Sequence, residues 1–226
     1  MSFALRTIGP AVLVCAALVC DDAFAQNHAT FQQDPVRAQL RAMGQPGLTI
    51  SLARERVIEI LESENSCSAW FQKVDPDAAA TFASLKFIID ANGPQYIVGW
   101  RSDSGEMLFK QPYSAKAPEN TGRNSVVILN ANGPFFTRTT SVLQKEISGS
   151  SPHPAGWRLL QVGSYAGNTL AAQMTTLLHE LGHVVGRIPD DSDELGGQSG
   201  RNTAEVLHFC RGQIRGAERR SRHSGP

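Results

Sequence analysis

No stretch of this sequence is apolar for long enough to cross a bilayer comfortably. The longest candidate, Ile8 to Cys20, falls short of the roughly 18 to 20 residues a spanning helix needs. Net charge is also lacking, with 21 Lys+Arg set against 21 Asp+Glu. A balanced chain of 41% hydrophobic residues is neither a disordered polyelectrolyte nor an electrostatic binder of nucleic acid. Aromatics make up only 7% and cysteine only four residues, which excludes a small disulfide-dense scaffold. What remains is the composition of one ordinary globular domain with a real core.

The first 25 residues read as a signal peptide. Arg6 gives a positive start, Ile8 to Cys20 the apolar centre, and Ala23-Phe24-Ala25 the small-x-small cleavage pattern. Asp21 and Asp22 are unusual there and keep an uncleaved anchor open as the alternative. Cleavage after Ala25 removes Cys15 and Cys20 and leaves Cys67 and Cys210, a candidate disulfide in an oxidising compartment. Closing so long a loop contributes on the order of 4 kcal/mol by chain entropy. The alternative gives one of these thiols to a metal or to latency. The expected location is secreted or periplasmic, with no stable membrane association after cleavage and a monomeric state.

Residues 26–48, rich in Gln and Ala, are expected to be a flexible lead-in or short pro-region. The main domain is expected over 49–214. It opens with a helix from about Ser51 to Asn65, whose apolar stripe is Leu52, Val57, Ile60 and Leu61. Trp70 and Phe71 are expected to pack inward. Strand signals follow at Leu85 to Asp90, Tyr96 to Trp100, Met107 to Lys110, Ser125 to Asn130 and Trp157 to Val162, a pattern that predicts a small twisted sheet, antiparallel or mixed. Asn92-Gly93-Pro94 and Asn132-Gly133-Pro134 are turn signals. A last helix is expected over Asn202 to Ile214, and residues 215–226 as a basic disordered tail.

The most informative segment is Asn168 to Gly186, NTLAAQMTTLLHELGHVVG. Leu170, Met174, Leu177, Leu178, Leu181 and Val185 recur at helical spacing, with Asn168 as expected N-cap and Gly186 as the stop. Within it, His179-Glu180-Leu181-Gly182-His183 is an HExxH pattern. Residues four apart share a helix face, so both imidazoles can reach one metal ion and the glutamate stands beside a water bound there. A chance match is expected on the order of once in a hundred or a few hundred chains of this length. Burial argues further: a His, Glu, His cluster without partners among Leu and Val costs several kcal/mol, whereas a metal satisfies all three. Gly182, costly inside a helix, suggests close approach of another backbone.

The run TLLHELGHVV resembles the extended zincin signature, in which uncharged residues flank HExxH. The resemblance covers one helix. It implies an α+β fold, a small twisted sheet packed on an active-site helix with further helices, and a zinc-dependent metallopeptidase acting on peptide or protein substrates. By it, His179 and His183 are zinc (Zn2+) ligands, Glu180 is the catalytic base, and the strand near Trp157 to Val162 is a candidate substrate-binding edge or plain core sheet. The third ligand leaves the subfamily open: the layout resembles aspzincins, which take an aspartate shortly after the helix, but their glycine- and tyrosine-containing motif is missing here. Where metzincins carry their last ligand, this chain has Pro189. Glu205 sits at a plausible distance for a gluzincin-type ligand, but Asn202-Thr203-Ala204-Glu205 is also a capping box, which explains Glu205 without any metal. A helix that ends at Gly186 and turns at Pro189 best presents Asp191, with Asp193 and Asp190 behind it. Tyr165, His153 and His208 are candidate oxyanion donors. The rival reading is a non-catalytic exported zinc-binding or interaction domain. A deformylase also uses HExxH, but its Gly-Cys-Leu context is absent.

Overall fold

The computed structural model describes residues 34–93, 95–102, 105–145, 153–191 and 197–223, so the expected signal peptide lies outside the described residues. Residues Pro35–Pro226 cluster as one unit, a wider span than the expected 49–214. It is a mixed α+β architecture.

Two helices open it, α1 (Pro35–Ala42) and α2 (Gln45–Glu62). The expected flexible lead-in is therefore helical from Pro35, and Val36 and Leu40 are buried there. Helix α2 starts before Ser51 because Pro46 sits in its first turn, where a fixed φ and a missing N–H cost nothing. Its buried stripe is Ile50, Ala53, Val57, Ile60 and Leu61, whereas Leu52 faces solvent at 43% exposure. Helix α3 (Ser66–Gln72) is capped by Asn65, whose side chain accepts from the Cys67 and Ser68 amides. Trp70 and Phe71 enter the core from it as expected. Helix α4 (Ala78–Ala83) leads into the strands.

Three separate sheets replace the single one expected. Strands β1 (Lys86–Asp90) and β5 (Val126–Asn130) pair in parallel, and β4 (Ala115–Lys116) adds antiparallel to β5 at the edge. The register Asp90↔Asn130 sets the two Asn-Gly turns side by side, where the Asn132 amide donates to the Ala91 carbonyl at 3.2 Å. Strands β2 (Gln95–Ser102), β3 (Gly105–Pro112), β6 (Thr139–Lys145) and β7 (His153–Leu159) form an antiparallel sheet in that order. The short hairpin of β8 (Gln161–Val162) and β9 (Tyr165–Ala166) follows. The expected strand over Trp157 to Val162 is thus divided: its first part is the exposed edge of the larger sheet, its last part the small hairpin.

Helix α5 (Leu170–Val184) is buried over its length after Leu170, against α2 and α6 (Gln198–His223). Its N-cap is Thr169, which accepts from the Ala172 amide, one residue later than expected. At the other end Gly186 adopts φ +68°, the left-handed turn that ends a helix. Helix α6 begins before Asn202 and continues to His223, so most of the expected disordered tail is helix. Spacing explains it: Cys210, Ile214 and Ala217 extend one buried stripe, and the Arg56 guanidinium donates to Ser221 at 3.0 Å. Cys67 and Cys210 form the expected disulfide, with Cα atoms 4.5 Å apart. Among the described residues no helix is long and apolar enough to cross a membrane.

Candidate metal centre

Helical spacing alone turns His179 and His183 to the same face of α5, and their Nε2 atoms stand 2.9 Å apart. Asp191 joins them through the turn that follows. Gly186 reverses the chain, the Arg187 amide donates to the Gly182 carbonyl at 2.7 Å, and the Ile188 side chain packs onto Gly182. The backbone expected near Gly182 is that of Arg187 and Ile188 at its carbonyl, while the space a Cβ would take is filled by the Ile188 side chain. The reversal brings Asp191 Oδ2 to 2.9 Å from His179 Nε2 and 3.6 Å from His183 Nε2. One ligand atom from each of the three residues lies within 4.8 Å of the others, a group that could hold a metal ion.

The donor set fits a divalent cation of intermediate softness: two imidazole nitrogens and one carboxylate oxygen. The surroundings fit it as well. Two imidazole nitrogens face each other at hydrogen-bond distance, an arrangement that without a cation requires a proton on one of them. His183 Nδ1 and Glu180 Oε2 are buried and lack hydrogen-bond partners among the described residues.

Comparison with known proteins returns no match: no family model, no curated protein and no solved structure is significantly similar to this chain. The site is therefore read from its own chemistry.

Electrostatics tie the cluster together. Burial pushes Glu180 up to about 7, against the lowering pull of His179, His183 and the Ala117 amide that donates to it. Burial also works to raise Asp191, but the hydrogen bond from His179 and the nearby His183 imidazole outweigh it and hold the carboxyl well below its ordinary range. For His183 burial works downward and loses to the Asp191 carboxylate 3.6 Å away and the charge of Glu180, so its pKa is raised. The metal-free cluster thus balances carboxylates against imidazoles.

The group opens into a cleft of about 640 Å³. One wall runs through β4 and the residues before it, the other through Gln161, Val162 and Gly163. Ser114 Oγ lies 2.8 Å from Thr176 Oγ1, one turn before His179, and so fastens this edge to α5. Two strands flank the candidate ligand group, β4, which was not expected, and β8, the last part of the expected strand over Trp157 to Val162; the part near Trp157 does not line the cleft.

The remaining sequence candidates fall elsewhere. Asp190 is exposed on the cleft rim and outside the ligand group. Glu205 is exposed on α6, and since that helix starts at Gln198, Asn202 caps nothing and the capping box does not form. Asp193 lies outside the described residues. His208 is exposed on α6, Tyr165 keeps a buried hydroxyl without a partner, and neither lines the cleft; His153 begins β7. The sequence reading missed Ala117, Asn202 and Thr203. The signal for the last two was present: two adjacent polar residues, one helical turn before Val206 and Leu207, lie on a face that must be buried.

Proposed function

We propose that this chain is an exported, zinc-dependent peptide-bond hydrolase of the zincin kind, with His179, His183 and Asp191 as metal ligands and Glu180 as general base. One observation carries the reading: three ligand atoms converge with a buried, half-unpartnered carboxylate at the floor of an open cleft. When bound, zinc supplies Lewis acidity, which lowers the pKa of a water and polarises a carbonyl. The chain does the rest. The Ala117 amide holds the Glu180 carboxylate, and Oε2 is left to take the proton of the attacking water and return it to the leaving amine. Ala115 on the edge strand and the Ala117 carbonyl just after it offer backbone groups to an extended peptide, since Ser114 and Lys116 face β5.

Export is supported by the N-terminal pattern and by a disulfide that a reducing compartment would not maintain. The deciding experiment is Glu180→Gln, with bound zinc and peptide cleavage measured together. An enzyme keeps stoichiometric zinc and loses about 100-fold or more in turnover. An exported zinc-binding domain without activity shows zinc in both forms and cleavage in neither, and that result would sink the proposal.

A further inference from the structure

Two buried polar side chains at the start of α6 touch the ligand group without belonging to it. Asn202 is 1% and Thr203 8% exposed. We propose that Asn202 and Thr203 are positioning residues that set the donor geometry of the metal site, Asn202 through Asp191 and Thr203 through the tautomer of His179. The inference rests on reading His179, His183 and Asp191 as a metal site.

Asn202 is fully engaged. Its Nδ2 donates to Asp191 Oδ1 at 2.6 Å and to the Pro189 carbonyl at 2.7 Å, and its Oδ1 accepts from Gln198 Nε2 at 2.8 Å. Both amide hydrogens are used, so the amide has one orientation. The same residue therefore grips the backbone just before Asp191 and one oxygen of its carboxylate. Oδ2 is the oxygen turned toward the two imidazoles; the Ser199 hydroxyl also bonds the carboxylate, but Asn202 is the buried group that holds both the carboxylate and the backbone before it.

Thr203 Oγ1 lies 3.1 Å from His179 Nδ1. A neutral imidazole carries one N–H, so a ring that gives its Nε2 lone pair to a cation must carry its proton on Nδ1. At this depth that proton needs an acceptor, and Thr203 is the one in reach. A hydroxyl also donates. Without metal, His179 Nε2–H can donate to Asp191 while Thr203 donates to Nδ1; with metal, Nδ1–H donates to Thr203. A carboxylate in this place would serve the second state alone, so the hydroxyl permits metal to enter and leave without an orphaned proton. Among the described residues His183 Nδ1 has no such partner, and the control falls on His179.

The test is zinc titration of the full chain against a chromophoric chelator, with long-range 1H–15N spectra of the ring nitrogens. Thr203→Val keeps shape and removes the acceptor, so zinc affinity should fall by about 10- to 100-fold; Asn202→Leu should lose a similar factor, and Thr203→Ser should stay within a few-fold of the parent. In the zinc-loaded parent, the Nδ1 proton of His179 should exchange with solvent more slowly than that of His183, a readout that needs no variant to fold. Equal exchange at the two rings, or parental affinity in both Thr203→Val and Asn202→Leu, would overturn the positioning role and leave the metal site standing. A parent chain that takes up no zinc would overturn both.

Discussion

Ile188 folds back onto Gly182 so closely that a Cβ at Gly182 would meet its Cγ1 and Cδ1 at 2.8 Å. That contact closes the turn between α5 and Asp191. It explains a glycine in the middle of the HExxH helix, where it costs about 1 kcal/mol relative to alanine. The helix gives up intrinsic stability, and the chain gains a reversal tight enough to return a carboxylate to His179.

Gly182→Ala should therefore not stabilise the protein. The propensity gain of about 1 kcal/mol is offset by overpacking of about 1–3 kcal/mol against a buried isoleucine. The displaced Ile188 should shift Asp191 and weaken zinc binding. Adding Ile188→Ala removes both clashing atoms, Cγ1 and Cδ1, and should recover much of the affinity, measurable by the same chelator competition. A single Gly182→Ala variant with raised thermal midpoint and unaltered zinc affinity would argue against this account.

Asp191 should be the carboxylate that matters. Asp191→Ala removes a direct ligand and should lower zinc affinity by more than the about 10- to 100-fold typical of outer partners. Asp190→Ala and Glu205→Ala, both exposed and outside the ligand group, should bind as the parent does. Comparable losses in all three would show that the acidic loop acts as a diffuse field.

Stability of the metal-free protein should fall as pH rises from about 5 to 8. Glu180 is raised from 4.5 to about 7 in the fold, and His183 is raised above 6.5. A group whose folded pKa exceeds its unfolded value contributes stability below the unfolded value and loses it as pH climbs through the folded one. Asp191 works oppositely, since its lowered pKa makes its contribution present above about 3.8 and lost only in strong acid. Thermal midpoints in the presence of a chelator should thus decline across this range, less steeply in Glu180→Gln, and saturating zinc should raise them. A flat or rising metal-free profile would contradict the assigned shifts.

Replacing Cys67 and Cys210 together by serine frees a loop whose ends are 143 residues apart. The chain-entropy estimate is a loss of about 4 to 5 kcal/mol. The buried stripe of Val206, Leu207, Ile214 and Ala217 still seats α6, so the folded fraction should retain its zinc site. Denaturant midpoints and zinc stoichiometry report the two effects separately.

Local periodicity made α5, both histidines, the glutamate and the inward Trp70 and Phe71 legible in the sequence. The boundaries went wrong where a polar surface hides a helix. Residues 35–42 and 215–223 look solvated by composition, yet Val36 and Leu40 in the first and Ala217 in the second are sparse buried anchors at helical spacing. The β4 edge on the other side of the cleft went unread for another reason. A two-residue strand such as Ala115–Lys116 carries no period, and only its pairing with β5 defines it.

The amino-acid order alone determined which residues could meet within one helix, because the 3.6-residue turn fixes neighbours four apart whatever surrounds them. It also determined that just two cysteines remain beyond the expected leader and that Asp191 follows a glycine and a proline at a turn. Tertiary structure decided what sits opposite: Asp191 aimed by Asn202, His179 held by Thr203, Glu180 held by Ala117. Those partners come from separate elements, and no local rule brings them together, since their meeting depends on how α6 and the edge strand pack against α5.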